Sequence, residues 1–139
     1  MFYIERGNSS YLDVKEMKME RVIFGKGACV DTVPVELVAM LTEMIRRRDV
    51  QFSPAVMPYA ISYEVRKSPK YWKIDRVELD KDTGAIRDYG RSAAGSVDFE
   101  GNVFKSQGYN TVAKGIRGNI FINNGFSALT GDGFIRYLK

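Results

Sequence analysis

Apolar residues recur at helical spacing in one segment of this chain. Leu37, Val38, Leu41, Met44 and Ile45 fall on a single stripe. The spacing predicts a helix over Pro34 to Arg48. Pro34 suits its first turn, where the missing N–H is not needed. Asp31 or Thr32 stands where a side-chain oxygen can cap the open amides. Glu36 near the start and Arg46, Arg47 and Arg48 near the end complement the helix dipole. Glu43 and Arg47 are four apart and can pair on the exposed side.

Elsewhere the pattern is that of strands and turns. Phe2 to Arg6 alternates loosely, Gly7 to Ser10 is a turn, and Tyr11 to Phe24 reads as two strands or one bent strand. Gly25-Lys26-Gly27 breaks that run, and Pro54 and Pro58 mark an extended connection after the helix. Ile61, Tyr63 and Val65 alternate with polar residues, and Ser68-Pro69 ends that strand. Tyr71 to Leu79 is the next strand, with Trp72 and Ile74 on one face and Tyr71 and Lys73 on the other. Asp82-Thr83-Gly84 predicts a hairpin into Ala85 to Tyr89.

From Gly84 onward glycine recurs every few residues, which predicts short strands joined by tight turns. The candidates are Val97 to Phe99, Val103 to Lys105, Asn119 to Ile122, Phe126 to Leu129 and Phe134 to Leu138. Glu100-Gly101-Asn102 and Asn123-Asn124-Gly125 are the hairpin signals. A six-residue β-helix needs an apolar residue at a fixed offset in each rung, and none recurs here. The fold expected is α+β over 1–139 as one domain: one long amphipathic helix packed on an antiparallel, glycine-punctuated β-sheet or a partly open barrel.

Composition narrows the chemistry more than the fold. The 139 residues include no histidine and one cysteine, Cys29. That excludes a Ser-His-Asp triad, a Cys-His pair and a histidine-rich metal site. Cys29 is expected to be a small packed residue, and a single cysteine makes no internal disulfide. Asp75, Glu78, Asp80 and Asp82 are close in sequence but sit among Lys73, Arg76 and Lys81, so ion pairing explains them. The chain is read as a binding protein and not an enzyme, with no catalytic residue, no metal and no cofactor assigned. No stretch of eighteen apolar residues exists and the N-terminal residues lack a secretory pattern, so a cytoplasmic protein is expected.

The formal charge of +4 and pI near 9.2 favour anionic partners. Arg66, Lys67, Lys70, Tyr71 and Lys73 form the densest basic and aromatic cluster. Lys105, Tyr109, Lys114 and Arg117 lie in a glycine-rich stretch, Lys105 to Gly118, that reads as a functional loop or a short helix from Thr111 to Lys114. The Gly25-Lys26-Gly27-Ala28 turn is too short for a nucleotide-triphosphate loop, and Asp31 opposes an anion there. The expected function is a basic module binding an anionic partner, nucleic acid first. The alternatives are a small homo-oligomer holding a nucleotide-like ligand between subunits and an inhibitor or regulator of a protein partner.

Overall fold

Helix α1 forms where the apolar stripe predicts it. In the computed structural model, which describes residues 21–108 and 111–137, it runs Val35–Gln51. The five stripe residues are buried, joined by Met40. The capping differs from expectation. Pro34 is the N-cap residue, and no side chain bonds the first amides. Its carbonyl accepts from the amides of Leu37 and Val38. Thr32 is occupied one turn earlier, its hydroxyl lying 3.2 Å from both the amide and the carbonyl of Cys29. Cys29 itself is exposed, not packed. It lies in the Thr32-braced turn before the helix, outside the buried cluster.

Six strands form one open sheet. They are β1 (Val22–Phe24), β2 (Tyr59–Lys67), β3 (Tyr71–Asp80), β4 (Ile86–Asp98), β5 (Asn102–Lys105) and β6 (Gly118–Asn119), adjacent in that order. β1 runs parallel to β2 because α1 supplies the crossover between them; every other neighbour is antiparallel. The sheet is therefore mixed, and it does not close into a barrel. The class is α+β. The strand expected at Phe2 to Arg6, the turn Gly7 to Ser10 and most of Tyr11 to Phe24 lie outside the described residues.

Register sorts the side chains into two faces. Val65 opposes Ile74, Lys67 opposes Trp72, and Trp72 opposes Val97, which opposes Val103. These apolar residues, with Ile61 and Tyr63, join the stripe of α1 in one buried cluster. Trp72 is in that core, as its phase predicts. The other face carries charge. Asp75, only 2% exposed, accepts from Arg66 at 3.3 Å and from Arg91 at 3.0 Å, and Arg91 also pairs with Glu64. A buried carboxylate held between two guanidiniums stays compatible with the sheet because its charge is compensated on the spot.

The second half departs most from the sequence pattern. Gly90 and Gly95 do not end strands; both lie inside β4, which absorbs the two short strands expected at Ala85 to Tyr89 and Val97 to Phe99. Gly95 is there because a Cβ would collide with the Phe104 carbonyl oxygen and the Ile135 side chain. Val103 to Lys105 is a strand, in β5, whereas of Asn119 to Ile122 only Asn119 is, in β6. Phe126 to Leu129 is instead mostly part of a 3₁₀ segment, Asn123–Ala128. Asn123, Asn124 and Gly125 all have positive φ, so three successive left-handed residues coil the chain where a two-residue hairpin turn was expected. Of Phe134 to Leu138, the described residues 134–137 contribute only an isolated bridge, Leu129 to Ile135, and Leu138 lies outside them. Residues 52–58 turn instead of extending. No helix among the described residues is long and apolar enough to cross a membrane.

The C-terminal half of α1 gives the fold an acid-sensitive tie. Glu43 accepts from Arg46 at 2.7 Å and from Arg47 at 2.6 Å. The Arg46 hydrogen bond, aided by Arg47, holds its carboxyl down at about 2 although burial opposes this. A carboxyl depressed in the folded state stabilises above its unfolded pKa, and that contribution is lost as pH falls towards 2. Urea melts from pH 5 to pH 2 should show stability falling with pH, and Glu43→Gln should flatten that part of the profile.

Candidate anion-binding cleft

Strand phase places one arginine on the wrong side of the sheet for a surface charge. Trp72, Ile74 and Arg76 alternate with Tyr71, Lys73 and Asp75, so Arg76 points to the same face as two core residues. There it lines a cleft of about 270 Å³ with Tyr63, Ser92, Lys105, Ser106 and Tyr137, roofed by Met44 of α1 and by Phe134 and Ile135. Its Nε is buried and has no hydrogen-bond partner among the described residues. None of the ion pairs found among the described residues includes Arg76 or Lys105.

Lys105 is the last residue of β5, opposite Gly95, and so shares the helix-side face. Its Nζ donates to the Ile135 carbonyl at 2.7 Å and lies 4.2 Å from the centre of the Tyr137 ring. An ammonium has three donors, so two remain for a ligand. Burial, with the charge of Arg117, pushes its pKa below the usual lysine value. An arriving anion relieves that penalty.

Tyr63 forms the floor. Its hydroxyl donates to the Gly133 carbonyl at 3.3 Å, and burial pushes it up to about 12, against the pull of Arg76 and Arg48. It is a neutral donor throughout the physiological range. Asp132 is near enough to act on Tyr63, but its carboxylate accepts from the Thr130 hydroxyl at 2.5 Å. Arg48 stacks on Phe52, 4.5 Å from the ring centre, and lies 5.7 Å from that of Phe134. The cleft thus presents one guanidinium, one ammonium and the Ser92 and Ser106 hydroxyls. Those groups can hold a phosphate or a carboxylate. Among the described residues no group of three or more Asp, Glu or Cys is placed to hold a metal.

The residues singled out from sequence are dispersed. Among the described ones, Lys105 alone lines the cleft. Arg66 is held by Asp75 and Glu64, and Lys73 lies beside it on the far face. Tyr71 is on that face too, edge-on to Phe104 at 6.0 Å. Lys67 and Lys70 are exposed at the β2–β3 turn, with Lys67 Nζ 5.6 Å from the ring centres of Trp72 and Phe99. Lys114 is exposed in the segment after β5, where Ser106 bridges to Val112 and Thr111 to Lys114 are not helical. Arg117 is buried and donates to the carbonyls of Lys114, Gly115 and Arg136, so it fastens that loop. Tyr109 lies outside the described residues.

Arg76, Tyr63, Ser92 and Tyr137 were not singled out. The signal for Arg76 was present: an arginine in phase with Trp72 and Ile74. No signal marked Ser92 or Tyr137, which reach the cleft only through the pairing of β4 and the path of the C-terminal segment. Compared with known proteins, the chain matches no family model, no curated protein and no solved structure.

Proposed function

We propose that this protein is a non-enzymatic binding module whose ligand presents an anionic group to the Arg76–Lys105 cleft. The observation that supports this is the pairing pattern of the cations. Arg21, Arg46, Arg47, Arg66, Arg87 and Arg91 are each matched to a carboxylate, and Arg117 and Arg136 to carbonyl oxygens. Among the described residues Arg48 too has no carboxylate, but it stacks on Phe52 outside the cleft, whereas Arg76 and Lys105 have none and share a concave site. A cation with a buried, unsatisfied N–H is expensive unless something anionic completes it.

An extended polyanion such as nucleic acid fits less well. Arg66 and Lys73 face one side of the sheet and Lys105 the other, and Tyr71 and Trp72 are likewise divided, so these described residues form no continuous basic and aromatic track.

Thermal melts at constant ionic strength test the reading with sodium phosphate, sodium acetate and a short DNA duplex. A small anion at a hundred times its Kd adds about 2.7 kcal/mol, and phosphate or acetate should raise the Tm. Arg76→Gln combined with Lys105→Gln should abolish that rise and leave the Tm in plain buffer nearly unchanged. A double variant that responds like the parent overturns the proposal. A response to DNA alone, falling steeply with salt, transfers the function to the exposed Lys67 and Lys70 turn.

A further inference from the structure

The sheet is split beside the cleft. β5 is in register with β4 only at Gly95, Ser96 and Val97. Beyond Lys105 the chain leaves: Ser106 bridges to Val112, and the amide of Gln107 donates to Thr111. β4 continues the other way through Ala93, Ser92 and Arg91, paired to β3 on one side and, among the described residues, to no strand on the other. Between the diverging strands lies a cavity of about 360 Å³, lined by Ser92, Ala93, Ser106, Gln107 and Gly108. Ser92, Ala93 and Ser106 also line the cationic cleft, so the two spaces adjoin.

We propose that the ligand is an extended peptide that adds a short strand to the edge of β4 that no described strand pairs and places a carboxylate between Arg76 and Lys105. This rests on the anion-binding reading of the same cleft and names the molecule that carries the anion. The backbone supplies the first argument. An open strand edge offers alternating N–H donors and C=O acceptors, and a peptide backbone matches both. A phosphodiester chain has acceptor oxygens only and leaves the carbonyls of β4 without partners. The length is the second argument. Arg91 to Ala94 spans about 13 Å at roughly 3.3 Å per residue, so three or four peptide residues fit. The third is charge. An added strand sends alternate side chains to the two faces. On the helix-side face, Arg76 is in register with Ser92, and Lys105 with Gly95. One acidic side chain, or a C-terminal carboxylate, reaches both cations from that strand. Outside the split, edge pairing is discouraged. Arg87 to Gly90 bulge opposite Glu78, and Tyr89 is fully exposed with φ 62°. The available edge is thereby confined to the part beside the cations.

The test is selection of a displayed random seven-residue peptide library with free C-termini on the intact protein, counter-selected on the Arg76→Gln/Lys105→Gln variant. Enrichment of peptides with Asp, Glu or a terminal carboxylate at a fixed place is expected. The best peptide, synthesised, should lose affinity roughly tenfold or more on neutralising that carboxylate. Neutralising the side chain and amidating the C-terminus separately tells the two carboxylate sources apart. N-methylation at alternate backbone positions should weaken binding comparably, while methylation at the intervening ones should not. Binding should also slow hydrogen exchange at the β4 amides beside the split. If no peptide prefers the parent while phosphate still binds it and not the variant, the peptide proposal falls and the anion site stands. If neither phosphate nor peptide distinguishes the two proteins, both fall. Capture of the edge by a second copy of this chain, seen as a dimer by sedimentation, or of the cleft by a single-stranded RNA twelve-mer, also overturns the peptide proposal.

Discussion

Leu41→Asp should leave the protein unfolded at 25 °C, with no cooperative melt and the far-ultraviolet signal of an unfolded chain. Leu41 is fully buried on the stripe of α1. Truncating a buried leucine costs about 2–5 kcal/mol through lost transfer energy and the cavity left behind. The carboxylate adds several kcal/mol of desolvation, and no cation on the buried stripe offsets it. Against a total stability on the order of 5–15 kcal/mol, that sum removes the fold. Leu41→Met, close in volume, should cost under about 1.5 kcal/mol. A cooperative melt for Leu41→Asp near the parent Tm overturns the packing of α1 on the sheet.

Gly133→Val should be the most damaging change on the C-terminal segment. Gly133 has φ +92°, which a β-branched residue adopts only with strain. A Cβ there would also be driven into the Met44 carbonyl and would come within 3.3 Å of the Arg48 amide, both helix backbone. Backbone cannot step aside as a flexible side chain can. The segment must therefore lift from α1, which breaks the hydrogen bond from Tyr63 and displaces Phe134 and Ile135 from the cleft. Strain and lost packing together amount to roughly 3 kcal/mol or more, a Tm loss on the order of 10 °C for a domain of this size. The control is Gly131→Ala, where an added Cβ meets nothing within 4 Å and the Tm should hardly move. Equal melts for the two variants would show that the segment does not seat on α1 as described.

What could be read from the sequence depends on how local the cause is. The α1 stripe is set by spacing within one element, and the structure keeps it with ends moved by a few residues. β2 and β3 were also legible, because alternation in Ile61, Tyr63 and Val65 and in Trp72 and Ile74 is decided by one buried face. Glycine misled the reading of β4. Positive φ at turns was assumed for both Gly90 and Gly95, whereas Gly95 fills a place where the neighbouring strand and the C-terminal segment leave no room for Cβ. That reason is tertiary and leaves no trace in the neighbouring residues. Asn123-Asn124-Gly125 carried the left-handed preference correctly but not the 3₁₀ coil it serves. The cleft was half legible. Lys105 stood out by charge. Arg76 was hidden among ion-pairing neighbours, although its inward phase sets it apart, and Ser92 joins it only through the register of β4 on β3.

The anion site is tested most directly by following the Arg76 Nε–Hε resonance during a titration with inorganic phosphate at fixed ionic strength. The account predicts a saturable shift at Arg76, together with Lys105, that disappears from the remaining resonances when Lys105→Gln is combined with Arg76→Gln. An Arg76 resonance that does not move while phosphate perturbs Lys67 and Lys70 without saturating would contradict it.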